Sequence, residues 1–140
     1  MSLAEQISPL VGRWLLGWFF LSEAWARASA WNATLALMAM QHVPAPAVVL
    51  VVSLIAMILG GLSLLLGYHV RIGALILFAF TVVVAVSVQD YWNFHDAAVR
   101  AATYDLFARD LAVAGGLLLL VGMGSGPFGI DNRMDGRRRR

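Results

Sequence analysis

Cysteine is absent from the 140-residue chain. That removes disulfide exchange, cysteine-ligated zinc and iron–sulfur clusters, and it leaves the redox compartment unmarked by any thiol. Lysine is absent as well, so all 10 basic residues are Arg. Charged residues make up only 13% of the chain, and between Pro46 and Gln89 the one formal charge is Arg71. What fills the chain instead is apolar: 61% of residues are hydrophobic and the mean hydropathy is +0.79. A soluble domain of this size has nowhere to hide that much apolar surface, whereas a membrane protein leaves it against lipid. The net charge of +2 comes largely from Arg137–Arg140, so the basic balance describes a tail and not a basic face.

The sequence is organised around two uncharged runs, residues 47–66 and 72–88, joined only by Gly67-Tyr68-His69-Val70-Arg71. A hydrocarbon core about 30 Å thick needs roughly 20 apolar helical residues, so the pair predicts a transmembrane hairpin. One further span is predicted on each side. The expected fold is a single all-α membrane domain over residues 1–140, an antiparallel bundle with spans near 10–30, 46–66, 71–90 and 105–123 and a polar tail over 129–140. Pro9 is expected in the first turn of the first helix. Residues 13–30 also offer the outline of a cleaved signal, with Arg13, the apolar Trp14–Leu21 run and Ala28-Ser29-Ala30. Glu5 and the short apolar stretch argue against it. Arg71, Arg133 and Arg137–Arg140 fall on the side of both termini and Arg13 lies close to it, against Arg27, Arg100 and Arg109 on the other. The positive-inside rule then predicts cytoplasmic termini.

The connectors are polar and aromatic. Residues 31–46 contain a short amphipathic run at Leu35–Met38 suited to an interface, and Asn32-Ala33-Thr34 matches a glycosylation sequon by pattern alone. Residues 89–105 place Tyr91, Trp92, Phe94 and Tyr104 where an aromatic belt is expected. Close helix approach in lipid requires small residues. Gly12 and Gly17, Gly60 and Gly61, Gly73 and Ala74, and Ala112, Gly115 and Gly116 are the packing candidates.

Ionisable groups inside a membrane are costly, so each is a candidate for function. Glu23 and Arg27, Asp96 and Arg100, and Asp105 and Arg109 stand at i,i+4, the spacing for mutual neutralisation. Arg13 is expected to pair with Asp131 beyond the last helix. Asp110 has no such neighbour, and Arg109 beside it is expected to point elsewhere. Glu23, Arg109 and Asp110, roofed by Trp92 and His95, outline a polar pocket. Two readings stand: an apolar slot with polar groups for a quinone, or a hydrogen-bonded cluster that holds the helices in register. His42, His69 and His95 are placed at opposite ends of the hairpin, which excludes a bis-histidine haem between helices; zinc has no supporting spacing. Trp14, Trp18 and Trp25 form one stripe, read as lipid-facing or packing aromatics. The Arg tail suits anionic lipid, and no nucleic acid is expected.

Several stretches, taken in order, carry a family resemblance. Val43-Pro-Ala-Pro is followed by Leu59-Gly-Gly-Leu-Ser-Leu-Leu-Leu-Gly-Tyr-His-Val-Arg-Ile-Gly-Ala-Leu. Tyr91-Trp-Asn-Phe-His, Phe107-Ala-Arg-Asp-Leu-Ala-Val-Ala-Gly-Gly, Gly129-Ile-Asp and the earlier Arg13-x-x-x-Gly17 with Phe20 complete the set. Together they resemble DoxX-family membrane proteins. The resemblance implies a four-helix protein of a bacterial or archaeal cytoplasmic membrane, a subunit of a quinone-linked oxidoreductase with its redox centre on a partner chain. Quinone is the one cofactor it implies. Two departures stand out: that family often carries a Glu before the Gly-Gly pair, where this chain has Ala56-Met-Ile-Leu59, and its Lys-Asn in the fourth helix is Arg109-Asp110. The alternative is a non-catalytic accessory subunit of a larger membrane complex; a small-solute transporter is a third reading. No cysteine, haem pair or nucleotide loop equips the chain to carry electrons by itself.

Overall fold

The computed structural model describes residues 2–89, 91–126 and 128–130, and among these every regular element is helical. Helix α1 runs over Leu3–Ser29 and starts on a reciprocal cap: the Glu5 amide donates to Ser2 Oγ and the Ser2 amide to Glu5 Oε2. This cap satisfies two N–H groups that a helix start otherwise leaves unpaired. It begins the helix six residues before Pro9, so Pro9 lies inside α1 and buried rather than in its first turn. Only Ala30 separates α1 from α2, Trp31–Met40, none of whose residues is buried. The stretch expected as a connector with a short amphipathic run is thus largely a helix lying outside the core.

Helix α3, Pro46–Leu66, has the bounds the apolar run predicts. Pro46 occupies its first position, where a missing N–H costs nothing. Gly67 ends it in the left-handed region, with φ +71°, and the Ser63 hydroxyl donates to the Tyr68 carbonyl at 2.6 Å to tighten the turn. Helix α4, Val70–Ser87, follows at once. A short 3₁₀ turn at Tyr91–Asn93 leads to α5, Ala97–Met123. The sequence predicts this last helix from residue 105; it begins eight positions earlier because the Asp96 carboxylate accepts from the Ala98 amide at 2.9 Å and caps it. Arg100 and Asp105 read as connector by charge, yet they ride on the exposed first turns of a continuous helix.

Each of α1, α3, α4 and α5 buries one stripe. In α1 it is Pro9, Arg13, Gly17, Phe20 and Ala24, and in α5 it is Asp110, Ala114, Leu117 and Leu120, spacings that keep to one face of a 3.6-residue turn. Helix α3 packs between α1 and α4, α4 packs between α3 and α5, and α5 meets α1 along a thinner seam. Phe20, Met57, Leu64, Leu77 and Leu117 meet in the core. Three helices, α3, α4 and α5, are long and apolar enough to cross a membrane, where the sequence predicts four spans. The fourth expected span, α1, is long enough but carries Arg13, Glu23 and Arg27. The start of α1, the α3–α4 turn and the end of α5 define one end of the bundle, the terminal end. The α2 helix and the α4–α5 connection define the other, the connector end.

Small residues set the spacing, though not all those singled out above. A Cβ on Gly17 would lie 2.9 Å from the Gly61 carbonyl oxygen and 2.8 Å from Leu65 Cγ, and one on Gly60 would meet Leu77. Gly61, Gly73 and Gly116 face Leu21, Ser63 and Leu16 in turn, whereas Gly12 and Gly115 face open space. Those two therefore pack nothing within the chain. Gly17→Ala is expected to lower stability by about 1–3 kcal/mol through overpacking. Gly115→Ala should leave it unchanged or raise it by up to about 1 kcal/mol. Thermal unfolding of the two variants in the same detergent checks the contrast, and equal midpoints would contradict the close α1–α3 approach.

Candidate functional site

Polar side chains enter the bundle at its two ends. At the terminal end Arg13 is 2% exposed and its Nη1 donates to the Ser125 carbonyl at 2.6 Å. The same nitrogen lies 2.8 Å from where a Cβ on Gly67 would sit, and the Gly129 Cα is 3.0 Å from that point. Arg13 thus occupies the space between the C-terminal turns of α3 and α5. Arg71 lies against the α5 end as well, its Nε 3.0 Å from the Cβ position of Gly124. The carbonyl ends of helices carry partial negative charge, and cations are favoured there. Asp131, the expected partner of Arg13, lies outside the described residues; within them Arg13 donates to a backbone carbonyl of the post-helical turn.

At the connector end Asp110 is 6% exposed on the buried stripe of α5. Its Oδ2 accepts from Gln89 Nε2 at 2.8 Å and its Oδ1 from Arg109 Nε at 3.1 Å. Adjacent residues on a helix do not share a face, which is why Arg109 was expected to turn away. Its long side chain instead bends back over its neighbour. Nη1 then reaches Glu23 Oε1 at 3.8 Å, the guanidinium covers the Phe19 ring at 5.5 Å, and Glu23 also pairs with Arg27 at 3.4 Å. Arg109 therefore links α5 to α1. Of the three i,i+4 pairs only Glu23–Arg27 forms among the described residues: Arg109 leaves Asp105 for Asp110, and Asp96 serves as the helix cap instead of holding Arg100.

Glu23, Arg109 and Asp110 come together as the sequence suggests, and with Phe19, Phe80 and Thr81 they line a cleft of about 280 Å³ including its open mouth. Its enclosed part admits about one water molecule. Trp92 and His95 do not roof it. Trp92 is 51% exposed and packs on Tyr91 and Phe107 over the outer side of α5, and His95 is exposed in the connection. Gln89 and Thr81 were missed. The buried stripe of α4, Val70, Ala74, Leu77, Thr81 and Ala85, runs on by one more turn to residue 89, so following that period within the apolar run finds Thr81 and extending it past the run finds Gln89.

These positions define a helical membrane protein whose charged side chains pair with one another at one end of a bundle and whose buried Arg13 meets a backbone carbonyl at the other. Residues 7–135 match the family model described as the SURF4 family, and the chain belongs to that family. It is similar to the inner membrane protein YqjF of Escherichia coli (strain K12), 29% identical over 135 residues that cover 96% of this chain and 98% of that protein. No solved structure matches. The DoxX resemblance is thereby overturned, since the model that fits nearly the whole chain is that of another family and none of DoxX matches. The stretches that carried it have a generic physical basis. A Gly-Gly pair, a left-handed glycine at a helix end and an aromatic connection serve many short antiparallel hairpins in lipid.

Asp110→Ala leaves the buried Gln89 amide without its acceptor and frees one arm of the partly exposed Arg109, and a loss of about 1–3 kcal/mol is expected, mostly from the amide. Glu23→Ala removes a partly exposed partner and should cost up to about 1 kcal/mol. Chemical unfolding in one detergent checks the order; a larger loss at Glu23 would contradict it.

Proposed function

We propose that this chain is a non-catalytic integral subunit, a helical scaffold that docks other chains within the membrane. The supporting observation is the state of its interior charges. Glu23, Arg27, Arg109 and Asp110 are paired with one another, and the space they enclose takes about one water, not a ring. Groups spent on one another hold α1 against α5 and are poorly placed to bind a substrate. The face left for a partner is the α1 stripe of Trp14, Trp18 and Trp25, whose exposures are 57, 68 and 76%. On this reading α1 is a fourth span, its length of about 40 Å ample for the purpose. On the same reading both termini are cytoplasmic, which the distribution of arginines favours, and the membrane is a bacterial cytoplasmic one, in keeping with a relative named as an inner membrane protein.

A second reading keeps a quinone but moves it. A shallow apolar groove of about 950 Å³, its open side included, runs along α3 and α4, past Val52, Ala56, Leu59 and Ile76 to Tyr68 and His69. A slot of apolar walls with polar groups at one end is the form a quinone site takes. The chain would then be a membrane subunit of a quinone-linked oxidoreductase whose redox centre sits on its partner.

Native purification in mild detergent, with co-purifying chains and extracted quinones identified by mass spectrometry, separates the two. A stoichiometric partner without quinone is the expected result. A partner dehydrogenase with quinone held, and lost on Ala56→Trp, would support the second reading; a lone chain with neither would overturn both. The absence of cysteine gives the topology its own test. Single cysteines at Ser2 and His95 should react with an impermeant thiol reagent from opposite sides of the membrane, and reaction from one side would contradict the four-span arrangement.

A further inference from the structure

Hydroxyls on membrane helices commonly satisfy themselves by donating to the carbonyl four residues back. Three in this chain do so: Thr34 to Ala30 at 2.9 Å, Thr103 to Val99 at 2.9 Å and Ser53 to Val49 at 2.7 Å. Thr81 does not. It is 4% exposed, its Oγ1 is fully buried and makes no hydrogen bond, and its side chain lines the cleft shared with Glu23 and Asp110. A buried polar atom left without a partner costs about 1–3 kcal/mol, and native interiors leave few of them so.

We propose that the inner part of this cleft is a binding site for a single ordered water, held between the Thr81 hydroxyl and the carboxylates of Asp110 and Glu23. The size fits, because the enclosed space is about that of one water. The chemistry fits, because a buried water needs two to four polar partners and Thr81, Glu23 and Asp110 all line the cleft; the Thr81 hydroxyl, covered as placed, meets the water on turning about χ1. Phe19, Phe20, Met57 and Phe80 form the apolar remainder of the wall, so the polar partners fix where the water sits. The mouth of the cleft is formed by Glu23, Arg27 and Arg109, all partly exposed. The consequence is a hydrated inlet: one bridging water connects the Asp110 carboxylate, buried in the bundle, with the partly exposed charges at the connector end. The site is independent of whether the chain serves as scaffold or quinone-linked subunit.

The test is Thr81→Val, which keeps the shape and removes the hydroxyl, with Thr81→Ser as the control that restores it. A water-bridged hydroxyl predicts a lower unfolding midpoint for Thr81→Val and recovery in Thr81→Ser. A dry, unpartnered hydroxyl predicts the reverse, since its removal relieves a penalty, and a raised or unchanged midpoint in Thr81→Val would overturn the proposal. Solid-state NMR of the full chain in bilayers supplies the second measurement. Magnetisation from water should reach Thr81 and Asp110 several-fold faster than the buried Leu77 and Leu117. Transfer at one common slow rate would show the cleft dry and overturn the site, even if a Thr81→Val loss came from a bond within the helix.

Discussion

The bundle depends on closing a seam that the chain itself does not close. Consecutive membrane helices are drawn together by short connections, as α3 and α4 are by three residues. The first and last helices have no such tether, and α1 meets α5 along a seam much thinner than those of α1 with α3, α3 with α4 or α4 with α5. Lipid supplies no hydrophobic drive to press them together. An arginine bridges the seam at each end: Arg13 from α1 to the Ser125 carbonyl, and Arg109 from α5 to Glu23. The buried guanidinium of Arg13 is the more demanding of the two. Its room depends on a glycine at position 67, which must both adopt φ +71° and carry no Cβ.

Between these ends the packing is of another kind. The middle of the bundle holds no charge, and helices approach there because Gly17 and Gly61 let two backbones come close while Gly60 receives Leu77. Division of labour follows from the medium. Steric fit determines distance where there is nothing polar to bond, and directional hydrogen bonds fix register near the ends, where an arginine reaches either a helix terminus or water. The same arrangement explains why the connector-end cluster resembles a ligand site in sequence and behaves as a fastening in three dimensions. Its charges were drawn inward to meet each other.

How much of this the sequence discloses varies with the kind of signal. The α3 helix was legible to the residue because Pro46 and Gly67 punctuate an uncharged run. The α5 start was not, because Arg100 and Asp105 mark a polar stretch without saying that it is helical, and the capping role of Asp96 was hidden behind its i,i+4 spacing to Arg100. Glu23, Arg109 and Asp110 were found together because charge in an apolar run is conspicuous. Gln89 and Thr81 are neutral and pass unnoticed until the buried stripe of α4 is followed, within the apolar run to Thr81 and one turn beyond it to Gln89. Trp92 and His95 were misplaced because aromatic character near a connection does not say which side of a helix the connection crosses. The family was misjudged for a related reason: small residues and turn glycines record the demands of helix packing before they record ancestry.

The account rests most on Arg13 as the fastening of the terminal end, and hydrogen exchange of Arg13→Met in lipid nanodiscs tests it most directly. Methionine keeps much of the side-chain bulk and removes the donors. The account predicts lost protection at the Gly67–Val70 turn and over the last turn of α5 through Ser125, with protection around Asp110 and Gln89 retained. Unchanged protection at the terminal end, or a uniform loss along all helices, would contradict it.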